Sequence, residues 1–318
     1  VPEQADTYEG RPLARPDEEV VDQGLGFDLA TLWSRRRLLG ALGLGAAGLG
    51  LAACGGGSGG AASAGSSSSA AAASGEIPDE TAGPYPGDGS NGANVLTESG
   101  IVRSDIRSSF GSSTTTAEGV PIELTLTITD MANGDAPFEG VAVYVWHCDW
   151  SGEYSLYSQA ITGENYLRGV QVADAAGTVT FTSIFPACYS GRWPHIHFEV
   201  YPDVDSITDA TNAIATSQVA LPQDVCGSVY ATTGYEASVG NLSQVTLDSD
   251  NVFGDDGGAL QLGTVTGSVG DGYRVSLTAA VDTGTTPTGG SAPGGGGGDG
   301  APPSGGPGGA PAGGRPTS

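Results

Sequence analysis

Three histidines occur in the chain, and two of them stand as His195-Ile196-His197 inside an apolar run that ends Phe198-Glu199-Val200-Tyr201. A β-strand repeats every two residues, so on a strand both imidazoles face the same way. Two neutral nitrogen donors converging from one rigid strand suit a metal ion. As a bare pattern His-x-His is weak, and an ordinary structural pair accounts for it equally well. The third, His147, follows Trp146 on another strand-like run and is expected to be structural, or to support a ligand, rather than to bind.

Short alternating segments must position such a pair. They run from Ile122 to Thr129, Val141 to His147, Val179 to Ile184, His195 to Tyr201, Gln218 to Leu221, Val245 to Leu247 and Tyr273 to Val281. Turn residues separate them (Asn133-Gly134-Asp135, Ser151-Gly152, Ala176-Gly177, Asp271-Gly272), and a short helix fits near Asp224 to Tyr230. The expectation is an all-β protein with an antiparallel β-sandwich core and long loops. Core-forming residues are confined to residues 76–283, about 200 residues and enough for one domain.

The two ends have a different composition. Residues 1–33 are polar without a sustained apolar period and read as an unstructured lead-in. Ser34-Arg35-Arg36-Arg37-Leu38-Leu39 then precedes a Gly/Ala-rich apolar run that closes with Leu51-Ala52-Ala53-Cys54. This order is that of a twin-arginine export signal ending in a lipobox, with Cys54 as the lipidation site. Residues 1–54 are therefore expected to be lead-in and signal, and 55–75 a Gly/Ser/Ala tether that cannot build a core. Residues 284–318 are expected to be a disordered Gly/Pro-rich tail. The expected location is the outer face of the cell membrane, through the lipid anchor, or the extracellular space.

Acidic residues number 36 against 11 basic ones, a net charge of −25, and the only basic cluster is Arg35-Arg36-Arg37. Nucleic acid is excluded as an expected partner. With Cys54 assigned to the anchor, Cys148, Cys188 and Cys226 remain. Export permits one disulfide, and Cys188 with Cys226 is preferred because Cys148 would sit at the end of a packed strand.

The segments around the histidines add specificity. Phe185-Pro186-Ala187-Cys188-Tyr189-Ser190-Gly191-Arg192-Trp193-Pro194 leads into the pair. Upstream lie Trp146-His147-Cys148-Asp149-Trp150-Ser151-Gly152-Glu153-Tyr154-Ser155, Tyr166-Leu167-Arg168-Gly169-Val170-Gln171 and Thr81-Ala82-Gly83-Pro84-Tyr85. In this order, over roughly Glu80 to Tyr235, the sequence resembles the intradiol ring-cleavage dioxygenases.

The resemblance implies non-haem Fe(III) held by Tyr154, Tyr189, His195 and His197, with Tyr189 the phenolate that leaves when substrate binds. It places Arg192 against the substrate ring and Gln218 near the same site, while Arg168 and Gln171 are candidates to support the ligand loops. The implied partners are a catechol-type aromatic and O2, the product a muconate-type diacid. The dimerising N-terminal helices of catechol-type relatives have no counterpart here, so a monomer or small homo-oligomer is expected. Two rivals make different predictions: a zinc- or copper-binding lipoprotein using the histidines, and a non-catalytic surface β-sandwich.

Overall fold

The computed structural model describes residues 75–289, together with a short ladder in which β1 (Thr7–Tyr8) pairs with β2 (Arg11–Pro12). The chain divides into two compact units, residues 1–68 and 69–318; the ladder belongs to the first, and all that follows concerns the second. The sequence readings of the twin-arginine signal, of Cys54 and of the Gly/Ser/Ala tether lie outside the described residues, as does the tail beyond residue 289. Among the described residues no helix is long and apolar enough to cross a membrane.

Two sheets make the unit. In the first, β6 (Arg168–Val172), β5 (Ala142–Trp146), β8 (His195–Tyr201) and β9 (Ala215–Ala220) lie in that order, all antiparallel. The second has the order β10 (Thr264–Ser268), β11 (Gly272–Val281), β3 (Pro121–Asp130), β4 (Ala136–Pro137), and β7 (Thr178–Ile184) also pairs with β3. One pairing departs from the antiparallel expectation: β11 runs parallel to β3. These strands are far apart in sequence, so no tight hairpin dictates their relative direction.

Alternation explains the packing. On β3 the buried Ile122, Leu124, Leu126 and Ile128 meet the inward Val275, Leu277, Ala279 and Val281 of β11, and the same core takes Val143, Val145, Ile196, Phe198 and Val200 from the first sheet. A period of two thus lays one apolar layer between the sheets. The segment expected as a strand at Val245 to Leu247 instead leads into a 3-10 turn, Leu247–Ser249, held by a Thr246/Ser249 capping box. Two helices, α1 (Gln223–Tyr230) and α2 (Glu236–Leu242), follow β9; the first was expected, the second was not.

Candidate metal centre

The first sheet has a second face, and the site is built there. Register puts Arg168, Trp146, His197 and Gln218 on one rung across four strands. His195 lies two residues away on the same face of β8. Both histidines are almost fully buried, at 2% and 3% exposure. Their Nε2 atoms lie 3.0 Å apart, and the Tyr189 hydroxyl lies 3.3 Å from Nε2 of His195. The Nδ1 of His195 donates to the Trp193 carbonyl, which leaves its Nε2 lone pair turned to the centre. His197 is stacked on Trp146, ring centroids 4.8 Å apart and planes 6° from parallel.

Tyr154 completes the group. Its ring centroid is 6.0 Å from that of Tyr189 and 6.4 Å from that of His197, and its buried hydroxyl has no hydrogen-bond partner. A buried orphan phenol is costly unless something else occupies its lone pairs. Burial first, and the Tyr189 phenol second, raise the pKa of Tyr154 well above the ordinary value. Burial likewise pushes Tyr189 up to about 12, against the pull of Arg192. Desolvation and the charge of Arg192 bring His195 down to about 3, and burial and His195 depress His197. The imidazoles are thus neutral donors, whereas the phenols ionise here only beside a cation. Among the described residues no group of three or more His, Cys, Asp or Glu is gathered for a metal, so any ion at this point draws on the tyrosines.

The two tyrosines sit on loops, each with its own fastening. The turn before Tyr154 closes on Asp149, whose Oδ1 accepts from the Ser151 and Glu153 amides at 2.9 and 3.0 Å. Gly152, at φ +91°, lies so near Tyr189 that an added Cβ would come within 3.2 Å of the tyrosine Cβ. Further fastening comes from Arg168, 1% exposed: it donates to Ser155 Oγ and O, to the Pro86 and Tyr85 carbonyls and to the Tyr144 hydroxyl, at 2.7 to 3.0 Å. This one guanidinium ties the Tyr154 loop to the 81–87 segment. Two nearby leucines, Leu156 (φ 72°) and Leu167 (φ 58°), hold the left-handed conformation that side chains other than glycine rarely adopt, and the tethered loops keep them there.

The helices secure the Tyr189 loop. Tyr235 and Tyr230 donate their hydroxyls to the Phe185 and Pro186 carbonyls, Ser238 Oγ accepts from the Cys188 amide, and Asn241 donates to the Cys188 carbonyl. The expected Cys188–Cys226 bridge is absent: both are free, buried thiols, as is Cys148. Cys188 Sγ turns to the Arg192 carbonyl at 3.5 Å and Cys226 Sγ to the Leu221 carbonyl at 3.8 Å, so each thiol is spent on a backbone acceptor. Burial pushes Cys188 up to about 12.

Arg192 and Gln218 come together as expected, 2.7 Å apart, and Gln218 also donates to the Thr81 carbonyl at 3.2 Å. Gly83, at φ +72°, faces His197: an added Cβ would sit 3.4 Å from its Cε1. Tyr85 packs on Tyr154 with centroids 4.9 Å apart. The Thr81–Tyr85 segment therefore packs over His197 and Tyr154.

Two residues escaped sequence reasoning. Asp250, buried, accepts from Arg192 Nε at 3.0 Å and from the Trp193 amide at 2.6 Å, and Glu80 sits within electrostatic reach of Arg192. Neither carries a local signal, since acidic loop residues are frequent in this chain. The Gln171 side chain, by contrast, donates to its neighbour's carbonyl at 3.1 Å and not, among the described residues, to a ligand loop. His147 is structural: its ring bridges the Cys148 carbonyl and Ser183 Oγ, both at 2.7 Å.

Two histidines and two tyrosines thus converge on the outer face of one sheet of a two-sheet sandwich. A family model described as Dioxygenase matches residues 105–204, which include Tyr154, Tyr189, Arg192 and both histidines of β8. In fold the chain is similar to an intradiol ring-cleavage dioxygenase from Tetranychus urticae, at 24% identity and a TM-score of 0.50, over 66% of this chain and 95% of that one. A second dioxygenase crystal structure matches at 23% identity and a TM-score of 0.51, over 65% and 94%. A catechol 1,2-dioxygenase from Pseudomonas arvilla matches at 18% and 0.41, over 65% and 62%. No curated protein matches the sequence. The matched segment and the likeness in fold are what this chain shares with intradiol ring-cleavage dioxygenases.

Proposed function

We propose that the protein is a non-haem ferric dioxygenase that opens catechol-type rings between the two hydroxylated carbons, adding both atoms of O2 to give a muconate-type diacid. The observation that carries this reading is the convergence of the His195 and His197 Nε2 atoms with the Tyr189 hydroxyl and the orphaned Tyr154 hydroxyl. Those four residues would hold the iron. Bound there, Fe(III) supplies Lewis acidity toward the catechol oxygens.

The chain's own groups divide the remaining work. Tyr154 is buried and roofed by Tyr85, which suits a ligand that stays. Tyr189 is only partly buried, so its Oη is the group placed to take a proton from an incoming catechol hydroxyl. Arg192, held by Asp250 and Gln218, offers a fixed donor toward charge that develops on the ring. The Thr81–Tyr85 segment packed over His197 and Tyr154 limits water at the site.

The test is the visible spectrum of the iron-loaded protein. A tyrosinate-to-iron band that moves to longer wavelength on anaerobic addition of catechol supports the reading; a colourless protein carrying zinc or no metal ends it. The reading includes export and lipidation at Cys54, for which Arg35-Arg36-Arg37 and the following apolar run are the support. Cys54→Ser should then shift the protein from the membrane fraction to the soluble one.

A further inference from the structure

Between residues 75 and 289 every arginine already has an acceptor or an acidic partner. The chain contains no lysine, and between residues 75 and 289 the arginines are Arg103, Arg107, Arg168, Arg192 and Arg274. Arg103 donates to the Arg168 and Asn165 carbonyls. Arg107 pairs with Asp105 at 2.7 Å, and Arg274 pairs with Glu123 at 3.3 Å on the other sheet. Arg168 is saturated by five oxygen acceptors. Arg192 reaches the site beside Gln218, and its Nε is paired with Asp250 at 3.0 Å.

Glu80 adds a carboxyl within electrostatic range of Arg192. The Glu80 amide donates to the Thr216 carbonyl at 2.7 Å, which seats the residue beside the strand that carries Gln218. Its half-buried carboxyl interacts with Asp255, Arg192, Asp256 and Asp79, so three further carboxylates lie within electrostatic range. A carboxylate on the ring would bring one more negative charge into this field, with no free cation to receive it.

We propose that the site selects catechols without anionic ring substituents, and that Glu80 is a specificity-determining residue which enforces that selection. The inference rests on the dioxygenase reading.

Three substrates test it: catechol, 3,4-dihydroxybenzoate and the methyl ester of that acid, which keeps the bulk and removes the charge. Rates are compared at low ionic strength and pH 8, above the value of about 7 to which burial, and then Asp255, push Glu80. The expected kcat/KM is at least about tenfold lower for the acid than for the ester, with added salt narrowing the gap. Glu80→Gln should narrow it by several-fold as well. Calorimetric binding of 4-hydroxybenzoate and 4-hydroxybenzyl alcohol to the iron-loaded protein gives the same comparison without turnover. An acid used as well as its ester overturns the selection, and a gap unmoved by Glu80→Gln overturns the role of Glu80. If the ester is refused along with the acid, size and not charge decides, and the proposal is wrong. Failure to cleave even catechol removes the dioxygenase reading, and the proposal with it.

Discussion

The two sheets are built from similar strands and put to different uses. The sheet of β10, β11, β3, β4 and β7 buries one face and turns the other outward, where Thr125, Thr127, Thr180, Ser276 and Thr278 alternate with core residues. The sheet of β6, β5, β8 and β9 is covered on both sides: β5, β8 and β9 are buried at every position. Polar groups on an exposed face are solvated and cost nothing. On a covered face each needs a partner, and the covered sheet is where His195, His197, Gln218 and Arg168 are found. A doubly buried sheet can hold donors at fixed separation in a dry setting, which a half-solvated one cannot do.

That contrast can be broken most severely at the donors. His197→Ala should abolish turnover and the visible band, read by spectrum and iron content. Arg168→Met should cost about 3 to 5 kcal/mol in urea unfolding, because its carbonyl and hydroxyl partners lose their donor inside the covered layer; retention of wild-type stability would contradict its role as the fastening between the Tyr154 loop and the 81–87 segment.

A pH experiment sharpens the same point. Burial brings His147 down to about 4, below its unfolded value of about 6.5. The unfolded chain therefore takes up the proton first, so stability is fully present above pH 6.5 and is lost as pH falls toward 4. The loss from this residue is on the order of 3 kcal/mol, and His147→Gln should remove that part of the acid dependence when unfolding is followed at pH 7.5 and 4.5.

Smaller effects are expected further from the centre. Asp250→Asn leaves Arg192 without its counter-charge and should lower kcat/KM by about tenfold, with a KM rise if Arg192 mainly orients the ring and a kcat fall if it stabilises developing charge. On the exposed face of the other sheet, Thr127→Val should stay within about 0.5 kcal/mol of wild type by thermal melting and leave activity unchanged.

Much of this arrangement was legible in the chain itself. The period of two around His195 and His197 was sufficient to set both rings on one face, since the pleat leaves no other choice, and β8 has the bounds the pattern implied. The alternation of β3, β7 and β11 predicted a sandwich for the same reason. Arg168 was legible only as a candidate support, because its value lies in acceptors more than ten residues away in the sequence. The strand expected at Val245 to Leu247 became a capped turn, as Thr246 and Ser249 satisfy each other's backbone groups locally and leave none for a ladder.

What the sequence determined by itself was local: which residues could donate to a metal, which face of a strand they share, and where turns interrupt the strands. Periodicity and side-chain chemistry act over a few residues and can be read one segment at a time. The tertiary structure alone decided the parallel pairing of β11 with β3, the turning of Cys188 and Cys226 to different carbonyls, and the meeting of Asp250 with Arg192. Each depends on where distant loops come to rest, and that is set by the burial of the whole core rather than by the residues that meet.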